Sequence, residues 1–237
     1  YQVASETFQA WIDGNVMVQD QEEGFYLIEQ EFVGLDGVGH KRRGFFAAVK
    51  LPEPGQDDVV LKHERTFAKK VEDRLRLTEA TEANLGSVFG LYEDPQKDLT
   101  PLLSRMDTEE PDIVAKTVDG VTQRVWKVPA DQQSIDFFKN RPLYIADGHH
   151  RFATAEEYRN RRRKENGTGP DNLQVYDYVL MGLVAFDDPG LIVWPTHRLL
   201  DPPKGFDLDA FLKALGEWFD VREAGSDIGK EVETGEG

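Results

Sequence analysis

Pro142-Leu-Tyr-Ile-Ala-Asp-Gly-His-His-Arg151 is the stretch that decides the fold, because an apolar segment there gives way to a polar helix start. Residues 142–145 predict a short strand, and residues 152–164 predict a helix. The first N–H groups of a helix have no internal partner, and with the positive end of the helix dipole they attract an anion. Gly148 lets a phosphate approach the backbone closely, and Arg151 can contact two of its oxygens. The stretch therefore predicts a phosphate site at a strand-to-helix junction.

The composition is that of an acidic globular chain. Its 237 residues are 39% hydrophobic and include no cysteine, so the chain can bury a core but has no disulfide and no thiolate metal site. A formal charge of −16 argues against a general nucleic-acid binder, since phosphate contacts need a basic face. No run approaches the roughly 20 apolar residues of a membrane span, and no signal peptide opens the chain. We expect a cytoplasmic protein with no membrane partner.

Two windows of the chain reverse this acidic balance. Residues 141–165 contain seven Lys or Arg against four acids, and residues 59–77 contain six against three, so each window carries about +3. Two basic islands in an acidic protein suit a small anionic ligand better than a nucleic-acid duplex. A solvated helix face explains the basic run at 159–164 equally well.

Predicted strands and helices are interspersed along the chain, with several hairpin signals. The predicted helices are 1–12, 67–80 with Thr66 as its cap, 134–139 and 206–218. The predicted strands are 24–32, 44–51, 59–61, 87–92, 112–117, 123–128, 176–186 and 191–194. Hairpin turns are predicted at the glycines of 34–39, at Asp119-Gly120 and at 187–190. This order predicts an α+β or mixed α/β fold with a mixed sheet, hairpin insertions and flanking helices, rather than a doubly wound sheet.

The same pattern predicts three regions. Residues 1–58 form an N-terminal helix and hairpin that pack on the core. Residues 59–200 form the core itself, with a hairpin insertion at 95–130. Residues 201–237 form a C-terminal helix and a frayed tail, at the start of a truncated or disordered region. Because the chain opens on a helix that begins with Tyr1, we expect it to be part of a longer protein.

Four of the five histidines fall in three short polar clusters, each directly after a predicted strand. The clusters are His63-Glu64-Arg65-Thr66, Asp147 to Arg151, and Thr196-His197-Arg198. Strand ends are where sheet proteins gather site residues, so we expect the clusters to converge. Glu64 is the best candidate for a general base, because a carboxylate beside His63 can accept a proton from a substrate hydroxyl. The first cluster also fits a surface pair, and the third fits a charge pair at a sheet edge.

Asp147 has two interpretations. Its carboxylate caps the helix, which stabilises a helix by about 1 kcal/mol, or it binds a hydroxyl or a hydrated cation beside the phosphate. A metal hydrolase is disfavoured, because adjacent helical residues point about 100° apart and His149 and His150 do not easily hold one ion. The sequence also has no His-Glu-x-x-His pair. It leaves any metal ligand unassigned.

Several motifs resemble domain-of-unknown-function family 1015 and the SerK-like free-serine kinases of the ParB/sulfiredoxin superfamily. They are Val60-Leu-Lys-His-Glu-Arg-Thr66, Glu72-Asp-Arg-Leu-Arg-Leu77, Ala83-Asn84 before Phe89-Gly-Leu-Tyr92, Tyr144 to Arg151, and Pro195-Thr-His-Arg198. The resemblance spans Trp11 to about Leu200. It departs from the compact kinases because 82 residues separate Glu64 from Asp147, and because family members extend beyond both ends of this chain.

The resemblance implies a ParB/sulfiredoxin-like nucleotide-binding core that takes ADP or ATP with Mg²⁺. It implies that Glu64 is the catalytic base on a serine hydroxyl. The residues then expected to bind nucleotide or phosphate are Gly148, His149, His150 and Arg151, and those expected beside the substrate are His63, Thr66, Asp147, His197 and Arg198.

The leading hypothesis is a small-molecule phosphotransferase that uses ADP or ATP to phosphorylate a hydroxyl compound, with free L-serine as the first acceptor to test. The alternative is a ParB-like nucleotide-binding switch or scaffold that transfers no phosphate. A third hypothesis is a pocket that has lost its ligand and serves as an interaction domain. The sequence does not specify the oligomeric state.

Overall fold

The sheet and its helices are described for residues 1–34, 37–56, 58–193 and 201–222 of a computed structural model. The strands are β1 (Gly24–Val33), β2 (Gly39–Lys50), β3 (Val60–Leu61), β4 (Val88–Tyr92), β5 (Ile113–Lys116), β6 (Thr122–Pro129), β7 (Leu143–Asp147) and β8 (Tyr178–Ala185). The helices are α1 (Gln2–Asp13), α2 (Ala68–Thr81), α3 (Thr100–Leu103), α4 (Arg105–Thr108), α5 (Gln132–Phe137), α6 (His149–Asn166) and α7 (Leu208–Leu215). Short 3₁₀ turns occupy Phe138–Asn140 and Val175–Asp177.

Eight strands of this described part form one mixed sheet, in the order β3-β7-β4-β8-β2-β1-β6-β5. The pairs β3–β7 and β4–β8 are parallel, and the other neighbouring pairs are antiparallel. The prediction of a mixed α+β fold is therefore confirmed. The chain divides into two compact units, Tyr1–Ile192 and Val193–Gly237, and the sheet belongs to the first. The predicted division at residues 58 and 200 stays a prediction.

Two of the predicted hairpins are confirmed. β1 and β2 pair across the glycine-rich segment, of which residues 35 and 36 lie outside the described part. β5 and β6 pair across Asp119-Gly120, where Gly120 has a φ of +89° that glycine adopts without strain.

The predicted strand at 191–194 is wrong in its described part, because residues 191–193 form no strand. The Asp188 carboxylate accepts the backbone N–H of Arg43 at 3.3 Å and that of Gly190 at 2.9 Å. β8 pairs with β2 on one side and with β4 on the other, so it has no free edge at which a returning strand could pair. Residue 194 lies outside the described part.

Helix α6 is anchored near both of its ends. Phe152, in its first turn, is fully buried in the apolar core. Near its end, the Arg163 guanidinium donates to Glu53 at 2.7 Å and to Asp177 at 2.6 Å. The hydrogen bonds from Arg163 lower the pKa of the Glu53 carboxyl. This anchoring fixes the N-terminus of α6, where the predicted phosphate site lies.

Helix α7 belongs to the second unit, and the Asp207 carboxylate caps it by accepting the backbone N–H of Ala210 at 3.0 Å. The helix predicted at 206–218 is confirmed with shorter bounds, and the predicted tail beyond residue 222 lies outside the described part. No described helix combines the length and the apolar character that crossing a bilayer requires.

We expect Phe152→Ala to lower the free energy of unfolding by about 3–5 kcal/mol, because it leaves a cavity under the first turn of α6. Chemical denaturation followed by circular dichroism measures this change. Val118→Ala, at a fully exposed turn position, is the control and should change stability by less than about 0.5 kcal/mol. Equal effects of the two substitutions would contradict the role assigned to Phe152.

Candidate active site

Two polar loops leave the sheet side by side. β3 and β7 are parallel neighbours, with Val60 opposite Leu143 and Leu61 opposite Tyr144. The segments that follow these strands, 62–67 and 147–151, therefore leave from the same end of the sheet. The structure brings together the first two predicted polar clusters. The third cluster, with His197 and Arg198, lies outside the described residues.

His149 joins the two loops. Its side chain is only 2% exposed, and its Nε2 accepts the backbone N–H of His63 at 3.3 Å. The rings of His63 and His149 meet edge to face, with centroids 4.4 Å apart. The other ring nitrogen, Nδ1, lies 3.3 Å from Oε2 of Glu64 but makes no hydrogen bond in this geometry. Burial, and then the neighbouring His63, lower the pKa of His149, so the ring is neutral near pH 7.

His150 makes a second, separate connection between the loops. Its Nε2 accepts the backbone N–H of Phe67 at 3.1 Å, and its ring stacks on that of Phe67. The two adjacent histidines thus contact different partners, as expected for neighbours on a helix.

The prediction that Thr66 caps α2 is wrong: the helix begins at Ala68, with Phe67 as its N-cap residue and no side-chain cap. The His150 ring fixes the backbone at this point instead.

The start of α6 is built from Asp147, Gly148 and Arg151. Gly148 is the N-cap residue with a φ of +96°, and no side chain caps the helix. The capping interpretation of Asp147 is therefore wrong: Asp147 is the last residue of β7, and its carboxylate accepts from Nη2 of Arg151 at 2.5 Å. The Arg151 guanidinium lies over Gly148, so close that a Cβ there would be 2.9 Å from Nε. A free helix N-terminus and a guanidinium thus face the same space.

A cleft of about 630 Å³ opens beside Arg151, between α2, α6 and the segment 174–178. Three arginines and three tyrosines are prominent in its wall: Arg74, Arg151, Arg162, Tyr158, Tyr176 and Tyr178. The Nε atoms of Arg151 and Arg162 are buried without a hydrogen-bond partner. Sequence reasoning missed this cleft. The signal available was the helical spacing of Arg151, Tyr158 and Arg162, which lie on one face of α6.

His63, Glu64 and His149 each offer one metal-ligand atom, and these atoms lie within 4.8 Å of one another. Two imidazoles and a carboxylate suit Zn²⁺ or Fe²⁺, whereas Mg²⁺ prefers oxygen ligands. Nε2 of His149 accepts a backbone N–H, however, so in the neutral ring the proton sits on Nδ1. That nitrogen then has no free lone pair toward Glu64, and a metal would have to displace its proton. The group is better described as hydrogen-bonding than as metal-binding.

Fold and site together define an α+β protein with a polar site at adjacent strand ends. Over residues 1–236 the chain matches the family described as Protein of unknown function (DUF1015), and it belongs to that family. A search of curated proteins and a search of solved structures each returned no match. The resemblance to family 1015 is thus confirmed, while the SerK-like branch stays a prediction.

We expect Gly148→Ala to abolish anion binding at the start of α6, because the new Cβ displaces the Arg151 guanidinium. Gly120→Ala is the matched control, since its φ is +89° and its Cβ would meet nothing within 4 Å. Both variants should lose about 1–2 kcal/mol of stability from the left-handed backbone. Calorimetry with inorganic pyrophosphate should separate them, and unchanged binding in Gly148→Ala would show that the anion does not lie at this junction.

Proposed function

We propose that this protein is a small-molecule phosphotransferase that uses ADP or ATP, with free L-serine as the first acceptor to test. One observation carries the proposal: the loop with the candidate base Glu64 lies against the loop with the candidate phosphate site, joined by the hydrogen bond between His63 and His149. Phosphoryl transfer depends mostly on positioning and charge neutralisation. A carboxylate base, a phosphate site and Mg²⁺ therefore form a minimal set for such an enzyme.

The phosphates of the nucleotide bind at the start of α6. A phosphate oxygen accepts from the uncapped N–H groups of the helix and from the Arg151 guanidinium. The phosphate thus competes with the Asp147 carboxylate for the Arg151 guanidinium. The Asp147 side chain is 76% exposed. The Asp147 carboxylate then supplies an oxygen ligand of the kind that Mg²⁺ binds beside phosphate. Bound Mg²⁺ would offset negative charge on the transferred group.

The nucleoside part of the nucleotide binds in the cleft beside Arg151. A volume of about 630 Å³ is within the range of cofactor pockets. Tyr158 and Tyr176 offer aromatic faces for a base, and Arg162 adds positive charge. The same guanidinium, that of Arg151, thus borders both the phosphate site and the cleft.

Glu64 acts as the base on the acceptor. Its side chain is 58% exposed, so a substrate hydroxyl can reach it. The hydroxyl oxygen forms a bond to the terminal phosphorus while the bond from that phosphorus to the bridging oxygen of the nucleotide breaks. The hydroxyl proton passes to the Glu64 carboxylate, and the shortened nucleotide leaves with the electron pair.

We expect the chain to form a phosphorylated product from one member of a panel of serine, threonine, homoserine and glycerol, with ADP or ATP and Mg²⁺. In Glu64→Gln, kcat should fall by about 10²–10⁴-fold, because the amide accepts no proton. Glu6→Gln, an exposed substitution on α1, is the control and should keep full activity. Phosphorus NMR measures the product. Unchanged activity in Glu64→Gln would remove Glu64 as the base, and nucleotide binding without any product would favour the switch alternative.

We expect Arg151→Ala to weaken ADP binding by at least about tenfold, since a charge-assisted hydrogen bond contributes about 1.5–3 kcal/mol. Arg105→Ala is the matched control, because Arg105 also makes an i,i+4 ion pair, with Glu109 at 2.8 Å, and does not border the cleft. Isothermal calorimetry measures both dissociation constants. Equal affinities in the two variants would place the nucleotide elsewhere.

A further inference from the structure

The ring of His149 is almost wholly buried, yet only one of its two nitrogens has a hydrogen-bond partner. Nε2 accepts the backbone N–H of His63, whereas Nδ1 is buried and unpartnered. Among the described residues, the carboxylate within 4 Å of Nδ1 is that of Glu64, with Oε2 at 3.3 Å. A buried polar nitrogen without a partner is rare in folded proteins, and here it points to a contact that is formed in another state of the site.

The His63 contact determines which nitrogen carries the proton. A neutral imidazole has one N–H, and a nitrogen that accepts a hydrogen bond is not the protonated one. Because Nε2 accepts from His63, the proton sits on Nδ1 and faces Glu64. The main chain of one loop thus selects the tautomer of a side chain on the other.

We propose that His149 is the positioning residue for Glu64, and that its Nδ1–H donates to Oε2 of Glu64 when substrate is bound. This inference rests on the proposed function, in which Glu64 is the base. The Glu64 side chain is more than half exposed, so a small rotation brings Oε2 into line with the buried N–H. Catalytic hydrogen bonds are often poorly aligned without ligand and tighten when substrate binds. With one oxygen held by His149, the other is left for the acceptor hydroxyl.

A direct contact of His149 with phosphate fits the structure less well. The side chain is 2% exposed, and both of its nitrogens are directed at the loop that contains His63 and Glu64. The neighbouring Arg151 and the helix N–H groups supply the donors that a phosphate needs. His149 therefore acts through Glu64 rather than on the phosphate.

Three substitutions of His149 test which of its nitrogens matters. Asparagine places an amide N–H at the position of Nδ1, glutamine places its amide at the position of Nε2, and alanine supplies neither. We expect His149→Ala to lower kcat by about 100-fold, the effect of a misplaced catalytic group, with KM for the acceptor unchanged. His149→Asn should recover most of this loss and His149→Gln should not. If His149→Gln restored kcat as fully as His149→Asn, the proposal would be overturned.

A second measurement needs no activity and no substitution in the core. Proton–nitrogen NMR of the histidine rings should find the His149 proton on Nδ1. Because Oε2 of Glu64 lies 3.3 Å from this nitrogen even before substrate binds, Glu64→Gln should shift its signal. His150 is the internal control, because its Nε2 accepts the N–H of Phe67 and its ring does not contact Glu64. A proton on Nε2 of His149, no response to Glu64→Gln, or stoichiometric Zn²⁺ binding through the His149 ring would each overturn the proposal.

The two measurements separate the two proposals. If the NMR signal of His149 responds to Glu64→Gln while no acceptor is phosphorylated, the contact is supported and only the reaction assigned to Glu64 fails. If product forms but asparagine and alanine at position 149 are equally impaired, the phosphotransferase stands and His149 is not its positioning residue.

Discussion

The set of contacts that holds the loop after β3 against the start of α6 is the constraint on which the site depends, because β3 alone cannot hold its loop. β3 has two residues and lies at one edge of the sheet, where β7 is its single neighbour among the described strands. The loop after it is fixed instead from α6, by His149, by His150 and by Glu156, which accepts from Lys62 at 2.7 Å. The helix at whose N-terminus we propose a phosphate site therefore also supports the opposing loop. A change at the start of α6 acts on both halves of the site.

The basic residues of α6 divide into two groups with different surroundings. Toward its C-terminal end, Arg159 donates to the carbonyl of Pro52 at 2.7 Å, and Arg163 is held by Glu53 and Asp177. These guanidinium groups are neutralised or satisfied within the protein, and they tie the helix to the loops beside the sheet. Arg151 and Arg162 instead border the cleft; each pairs with exposed carboxylates and also has a buried Nε without a partner. The α6 guanidinium groups that border the cleft thus lie on one face of the helix.

The sequence was sufficient for elements whose signals are local. Apolar periodicity and turn residues predicted the hairpin at Asp119-Gly120 and the strand-to-helix junction at residues 142–151, which lie where expected. Thr66 was wrong as a helix cap because α2 begins later, at Ala68, where a residue distant in sequence, His150, accepts the Phe67 N–H. Asp147 was wrong as a cap because Gly148 is the N-cap residue and the Asp147 carboxylate pairs locally with Arg151. The cleft was missed for a related reason. It exists only because α2 and α6 lie side by side, and no local pattern in either helix specifies that neighbour.

The order of strands in the sheet explains how two motifs so far apart in sequence can lie together. Of the 82 residues between Glu64 and Asp147, those of α2 and β4 stay beside the site, since β4 is the other neighbour of β7. Part of the remainder forms β5 and β6 at the opposite edge of the sheet, where β6 pairs with β1 and β5 follows it. The long insertion therefore extends the far side of the sheet and leaves β3 and β7 adjacent. The large separation of Glu64 and Asp147 in the sequence therefore does not place the two loops far apart in the structure.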